Sequence, residues 1–327
     1  MHMHIRLLTL LATLALLATA CGGDDSGGEA AASDGEAAPA GDAVADQVDL
    51  DGVALTVGSK EFTEQILLGQ VALQALEAAG ADVTDQTGLV GTPVVREALE
   101  SGEVDMYWEY TGTGWINILG NDSPVPGVQE QYEAVRDADL ENGLTWLDPA
   151  EASNTYALAA GPTAEDLGVE SISDFAALAE EQPDRATLCS ANEFITRDDG
   201  LPGLEETYGF EAPSVSEFDF GLVYTSVAEG DPCEFAVVFA TDGEILGFEL
   251  NILEDDQAFF PAYNVAPVMD TETYEEAPEA FDELFGAITE VLDDETLQQL
   301  NAGVVVDGLP AEDVARDFLV ENGIISG

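Results

Sequence analysis

Apolar residues fall along this chain in short runs that alternate with amphipathic stretches, and that rhythm predicts strands and helices in turn. Residues 53–57 read as a buried strand. Residues 63–79 follow as a helix, with Ile66, Leu73 and Leu76 recurring on one side and Gly80 ending it. Thr92 and Pro93 cap and open a second helix that runs through Leu99; Gly102 stops it, and residues 104–108 return as a strand. Strand-like runs recur at 186–189 and 233–240, and helical patterns close the chain at 278–292, 295–300 and 311–321. This alternation predicts an α/β fold. Ligands of open α/β sheets gather at the carboxyl ends of strands. The turn that carries Lys60 and the loop 110–114 both leave such ends, so they point to one crevice.

The first 48 residues follow a different pattern. His2, His4 and Arg6 precede an apolar run at 7–18 that is short for a bilayer span and ends in small residues before Cys21. Residues 1–20 are therefore read as an export signal. Cys21 is read as the acylated first residue of a lipoprotein, although Ala18 stands where leucine is usual; a plain secreted or membrane-retained start is the alternative. From Gly22 to Val48 the chain is mainly Gly, Ala, Asp, Glu and Ser, too poor in apolar surface to fold, and is expected to be a flexible acidic linker.

Charge narrows the partners. Lysine and arginine together number 7 against 67 acidic residues, a net charge of −60. Such a field repels phosphate, which excludes nucleic acid and anionic membrane surfaces as partners. The acid reads as a solvated surface suited to concentrated salt, or as a polyanion for a basic partner. Disorder of the whole chain is opposed by its 46% of hydrophobic residues. The only histidines, His2 and His4, lie in the segment to be removed, so a Ser-His-Asp, Cys-His or histidine–metal site is not expected. With so many acids some carboxylate pair will fall at a glycosidase spacing by chance, and Asp255–Asp256 lacks the regular spacing of a calcium loop. Neither an enzyme nor a metal or cofactor is expected.

The scarce cations are informative for the same reason. Lys60 is the single lysine, and it sits where a strand turns into a helix. Arg96, Arg136, Arg185 and Arg316 fall on helix or loop patterns that look exposed. Cys189 and Cys233 border strand-like runs of an exported chain, so a disulfide between them is expected, with two buried free thiols as the alternative.

Seven segments carry a resemblance when taken in order: GSKEFTEQ at 58–65, EYTGT at 109–113, NTYALA at 154–159, EFITRDDGLPGLE at 193–205, GLVY at 221–224, TDG at 241–243 and LEDDQAFFPAYN at 253–264. The chain resembles, from about Val53 to Ile325, the substrate-binding lipoproteins of osmoprotectant ABC importers, which capture glycine betaine, carnitine, choline or similar quaternary amines. The resemblance implies a two-lobed α/β fold of the type II periplasmic-binding-protein kind, with two crossing segments. Lobe 1 would comprise residues 49–156 and 263–327, and lobe 2 residues 157–262. It also implies a monomer that meets an ABC permease and ATPase complex while tethered to the membrane by its lipid anchor.

The ligand class sets the chemistry. A quaternary ammonium has no N–H to donate, so its diffuse charge is best met by the negative faces of aromatic rings. Tyr110, Tyr132, Tyr156, Tyr224 and Tyr263 fall in or beside the matching segments and are the candidate cage. For a carboxylate tail, Lys60 and Arg197 would supply charge-assisted hydrogen bonds, helped by Gln65 and Thr113. Arg197 has a structural pairing with Asp198 or Asp199 as its alternative. Asn154 would orient the cage and Asn117 tune ligand choice. Glu244 and Gln257 stand where the family often places basic residues, a departure that fits salt adaptation. A receptor for another small cation or an amino acid is the alternative function, and an acidic surface lipoprotein without a transported ligand is a third.

Overall fold

The computed structural model describes residues 43–196 and 200–327. Cys21, Arg197 and most of the expected linker lie outside the described residues.

Two five-stranded sheets are built to the same plan. The first contains β1 (Ala54–Lys60), β2 (Asp82–Leu89), β3 (Met106–Tyr110), β4 (Leu144–Trp146) and the late strand β10 (Val265–Asp270), in the order β2-β1-β3-β10-β4. The second contains β5 (Tyr156–Ala160), β6 (Thr187–Ser190), β7 (Ser214–Glu217), β8 (Phe235–Phe239) and β9 (Asn251–Ile252), in the order β7-β6-β8-β5-β9. In each, three strands run parallel and a fourth enters antiparallel to the third: β10 pairs β3 through Ala266 opposite Glu109, and β5 pairs β8 through Leu158 opposite Val237. Helices cover both faces, which is why the central strands are buried and nearly continuous in apolar residues.

Each sheet thus separates two apolar layers. Leu67, Leu68, Val71 and Leu76 of α1 (Thr63–Ala78) pack with Trp108, Phe281 and Phe285 on one side of the first sheet. Val95 and Leu99 of α2 (Thr92–Glu100) join Tyr107, Tyr132 and Trp146 on the other. Phe175, Phe194 and Phe235 fill one layer of the second sheet; Val223, Tyr224 and Val238 belong to the other, where Cys189 and Cys233 form a disulfide. This is the two-lobed type II binding-protein fold.

The chain passes from the first sheet to the second between β4 and β5 and returns between β9 and β10. The two crossings lie side by side, Ser153 bridging Asn264, with Asn154 N donating to Tyr263 O at 3.1 Å. A third connection was not expected. Helix Asp294–Val305 belongs to the first lobe's core, yet Gln298 Nε2 donates to Ala240 O at 2.7 Å and Asn301 Nδ2 to Thr241 O at 2.8 Å. Gly243 permits that approach, since a Cβ there would lie 2.3 Å from Ala302 N.

Three sequence expectations are corrected. The linker ends before residue 48, because Ala43 and Ala45 are buried and Val44 N and Ala45 N donate to Gly323 O and Ile324 O at 3.1 and 2.9 Å. Arg96 is not exposed: it is buried, its guanidinium held by both oxygens of Asp139 at 2.6 Å and by Glu100 at 2.6 Å. The first helix and the third strand are displaced by a residue or two at their ends, Lys60 closing β1 instead of standing in the turn after it.

Candidate functional site

Where the two lobes and both crossings meet there is a cavity of about 240 Å³. Its first-lobe wall is Lys60 and Phe62 at the junction of β1 and α1, Thr92 at the start of α2, and Tyr110, Thr113 and Asn117 from the end of β3 and the turn beyond it. Asn154 and Tyr263 come from the crossings, and Tyr156 and Phe239 from the second lobe. Five rings therefore line the space. Phe62 stacks near Tyr110 at 6.4 Å, and Tyr156 stacks on Phe239 at 4.7 Å with 25° between planes, so each lobe presents a pair. Gly112 fits the EYTGT loop against the return crossing; a Cβ there would come within 2.8 Å of Ala262 O and the Tyr263 ring.

Seven of the expected ligand residues are thus together: Lys60, Tyr110, Thr113, Asn117, Asn154, Tyr156 and Tyr263. Three are elsewhere. Gln65 is fully buried inside α1's packing face, with its Oε1 3.4 Å from Lys60 N. Tyr132 lies in the apolar layer behind α2, its hydroxyl donating to Trp146 O at 3.2 Å. Tyr224 sits one layer behind the second-lobe wall, donating to Asp242 and accepting from the backbone N–H of Phe239. The helical spacing of GLVY turns its tyrosine toward the sheet, not the cleft. Phe62, Thr92 and Phe239 were not anticipated. Phe62 lay in the quoted GSKEFTEQ segment, and an aromatic residue two places after Lys60, just before the helix, was the available signal; its ring is 41% accessible.

Lys60 borders the cavity, but its charge is neutralised inside the wall. Its Nζ is 2.5 Å from Glu109 Oε1, and the same carboxylate accepts from Tyr110 N at 2.8 Å and Tyr107 OH at 3.0 Å. Lys60 can offer a hydrogen bond to a ligand; it does not bring an unbalanced positive charge. The ammonium also lies 5.0 Å from the centre of the Tyr110 ring.

A further buried carboxylate lies behind Tyr110 and escaped the sequence pattern. Glu64 Oε1 accepts from Tyr110 OH at 2.7 Å and Asn154 Nδ2 at 3.1 Å; Oε2 accepts from Thr241 Oγ1 at 2.7 Å and Asn301 Nδ2 at 2.8 Å. These donors come from the first lobe, a crossing, the second lobe and the bridging helix. Position 64 shares the core-facing side of α1 with Leu67, Leu68 and Val71, so an acid at that register was a sequence signal. Burial pushes the Glu64 carboxyl above its ordinary range while the four donors pull it down. Burial, with Glu64 beside it, also holds the Tyr110 phenol well above its ordinary value, so this hydroxyl stays a donor.

The family described as the substrate binding domain of the ABC-type glycine betaine transport system matches residues 53–321. A glycine-betaine-binding protein of Pseudomonas aeruginosa is 41% identical over 279 residues, covering 83% of this chain and 88% of that protein. The structure of apo YehZ from Escherichia coli superposes with a TM-score of 0.76 at 35% identity, covering 83% of this chain and 99% of that one. An ergothioneine transport permease/ergothioneine binding protein of Helicobacter pylori is 32% identical, covering 83% of this chain and 48% of its own length. With the ring-lined cleft between two lobes, these matches settle the assignment: the chain belongs to the family of substrate-binding domains of ABC-type glycine betaine transport systems.

Proposed function

We propose that this protein captures a quaternary-ammonium osmoprotectant, glycine betaine or a relative such as carnitine or choline, in the interlobe cavity and delivers it to an ABC permease and ATPase complex. The observation that carries the reading is the pairing of rings across the cleft: Phe62 and Tyr110 from one lobe, Tyr156 and Phe239 from the other, with Tyr263 from the crossing. A methylated ammonium gains about 0.5–2 kcal/mol from each desolvated ring face it meets. It demands no acceptor, which suits walls of this kind. Thr92, Thr113 and Asn117 supply hydrogen-bonding groups along one side for a polar tail. Arg197 is assigned to a carboxylate tail. Lys60 contributes at most a neutralised pair.

The reading extends to the rest of the chain. Residues 1–20 direct export, Cys21 carries the lipid that holds the protein to the outer face of the cytoplasmic membrane, and the monomer's two lobes, the second beginning with β5 at Tyr156, close on the ligand. The acidic surface keeps it soluble in salt. Among the described residues no helix is long and apolar enough to cross a membrane.

Another reading rests on the Helicobacter pylori relative, whose printed name gives a different ligand: the cavity would take another small cation or an amino acid. Calorimetric titration of the full chain with glycine betaine, carnitine, choline, ergothioneine and proline decides between them. Binding of a quaternary amine, lost by ~10–30-fold in Tyr156→Ala, is the expected outcome; binding of none of the first three removes the proposal.

A further inference from the structure

Two buried carboxylates lie against the first-lobe wall of the cavity, and only one of them has a cation. Glu109 is paired with Lys60 at 2.5 Å. Glu64 has four partners, the Tyr110 hydroxyl, the Asn154 and Asn301 amides and the Thr241 hydroxyl, all of them neutral donors. Among the described residues, no ion pair includes it. When Glu64 is ionised, the wall therefore carries a negative charge without a paired cation, located behind a ring that lines the cavity.

We propose that Glu64 is the counter-charge of the cleft, a positioning residue that selects cationic ligands through Tyr110 and Asn154. This rests on the reading of the cavity given above and assigns the source of its charge preference. A buried carboxylate without a cation is costly even when fully hydrogen-bonded. A cation in the cavity supplies the missing compensation; a neutral molecule of the same shape does not. Tyr110 is the path of the effect. Its hydroxyl donates to Oε1, which polarises electron density into the ring that lines the cavity, and polarised hydrogen-bond chains strengthen one another in a low-dielectric interior. The position of the charge is fixed from both lobes. Oε1 holds Tyr110 and Asn154, while Oε2 holds Thr241 of the second lobe and Asn301, which also donates to Thr241 O. The amides of Asn154 and Asn301 each direct an N–H at the carboxyl, one at either oxygen, an arrangement that favours the carboxylate.

The test compares two ligands of one shape. Glycine betaine and 3,3-dimethylbutanoate share the carboxylate tail and differ in the head, a trimethylammonium in one and a tert-butyl group in the other. In the full-length chain, glycine betaine should bind at least about tenfold more tightly, the effect of one charge several ångströms away at an effective dielectric of about 20. Glu64→Gln keeps the shape and removes the charge, and the ratio of the two affinities should fall by roughly tenfold. Glu64→Asp keeps the charge and should retain the ratio even where both affinities drop. Equal losses for both ligands in Glu64→Gln would mean a purely structural residue and overturn the proposal, as would an unchanged ratio. If Glu64→Gln does not fold, Tyr110→Phe decides: the ring stays, the link is cut, and the ratio should fall about two- to threefold; a ratio identical to the parent's overturns the assignment. A parent chain that binds no quaternary amine would instead remove the reading of the cavity itself.

Discussion

Tyr110 of the first lobe and Tyr224 of the other lobe occupy similar settings. Both belong to quoted motifs, both are buried, and both donate a hydroxyl to an acid, the buried Glu64 in one case and the partly buried Asp242 in the other. Their acids differ in company. Glu64 accepts four hydrogen bonds from several parts of the molecule, whereas the bond that holds Asp242 is Tyr224's. Their rings differ in depth. Tyr110 lines the cavity, and Tyr224 stands behind Phe239, which does. Burial raises both carboxyls, and Glu64 has four donors opposing that rise where Asp242 has the Tyr224 hydroxyl; one layer of packing decides whether a ring meets the ligand.

The largest consequence falls on Asp242. Burial raises its pKa to about 7, with the Tyr224 hydroxyl opposing and the nearby Glu64 and Glu244 charges adding to the rise. A folded-state value above the ordinary 3.8 means that the folded protein holds this proton more tightly than the unfolded chain. The contribution to stability is complete below about pH 4 and is lost as the pH rises through about 7. Asn at this position carries no titrating group. The stability of Asp242→Asn relative to the parent should therefore rise between about pH 4 and about pH 8, by on the order of 4 kcal/mol. Urea denaturation of both chains at fixed salt measures it. The repulsion among the remaining acids is common to the two and cancels. A difference that is flat across that window would show Asp242 to be ionised throughout.

Tyr110→Phe probes the other pair by leaving Glu64 with three donors instead of four. Removing one hydrogen bond to a buried charged group costs about 1–3 kcal/mol. That loss should persist at every pH where Glu64 is ionised, in contrast to the window seen for Asp242. Unfolding midpoints at two pH values on either side of neutrality would separate the behaviours.

Much of this site was legible from residues alone, and the failures share a cause. The alternation of apolar runs announced the sheets, and the Lys60 turn and the EYTGT loop located the cleft because they leave the carboxyl ends of strands; NTYALA, at the amino end of β5, came only through the family resemblance. What sequence pattern does not record is the facing of a helical side chain within a motif. Gln65 and Tyr224 both lie on helices beside cleft residues and both turn inward. Arg96 looked exposed because a charged residue on an amphipathic helix usually is; Asp139 on helix Val128–Leu140, 43 positions away, provides the bidentate partner that lets it be buried. Strand β2, with only Val83 and Leu89 apolar in its eight residues, gave no buried-strand signal because it is an exposed edge. Asn301 was out of reach altogether, since nothing local to helix Asp294–Val305 reveals that it meets Glu64 237 positions earlier.

The smallest expected effect is the one that most directly separates motif from geometry. If Tyr224 were a wall of the cage, its replacement by leucine would remove a ring face from the cation and weaken glycine betaine by ~10-fold or more. The structure places it in a supporting position instead. Its hydroxyl accepts from the N–H of Phe239 and donates to Asp242, while its ring packs with Val223, Val227 and Val238. Leucine fills most of that apolar volume. Tyr224→Leu should therefore lower stability through lost packing and an Asp242 deprived of its donor, yet leave ligand affinity within about threefold of the parent. Titration below about pH 6, where Asp242 is protonated in the parent, keeps the comparison free of a new charge. An affinity loss as large as that of Tyr156→Ala would place Tyr224 in contact with the ligand and show that lobe closure turns it into the cavity.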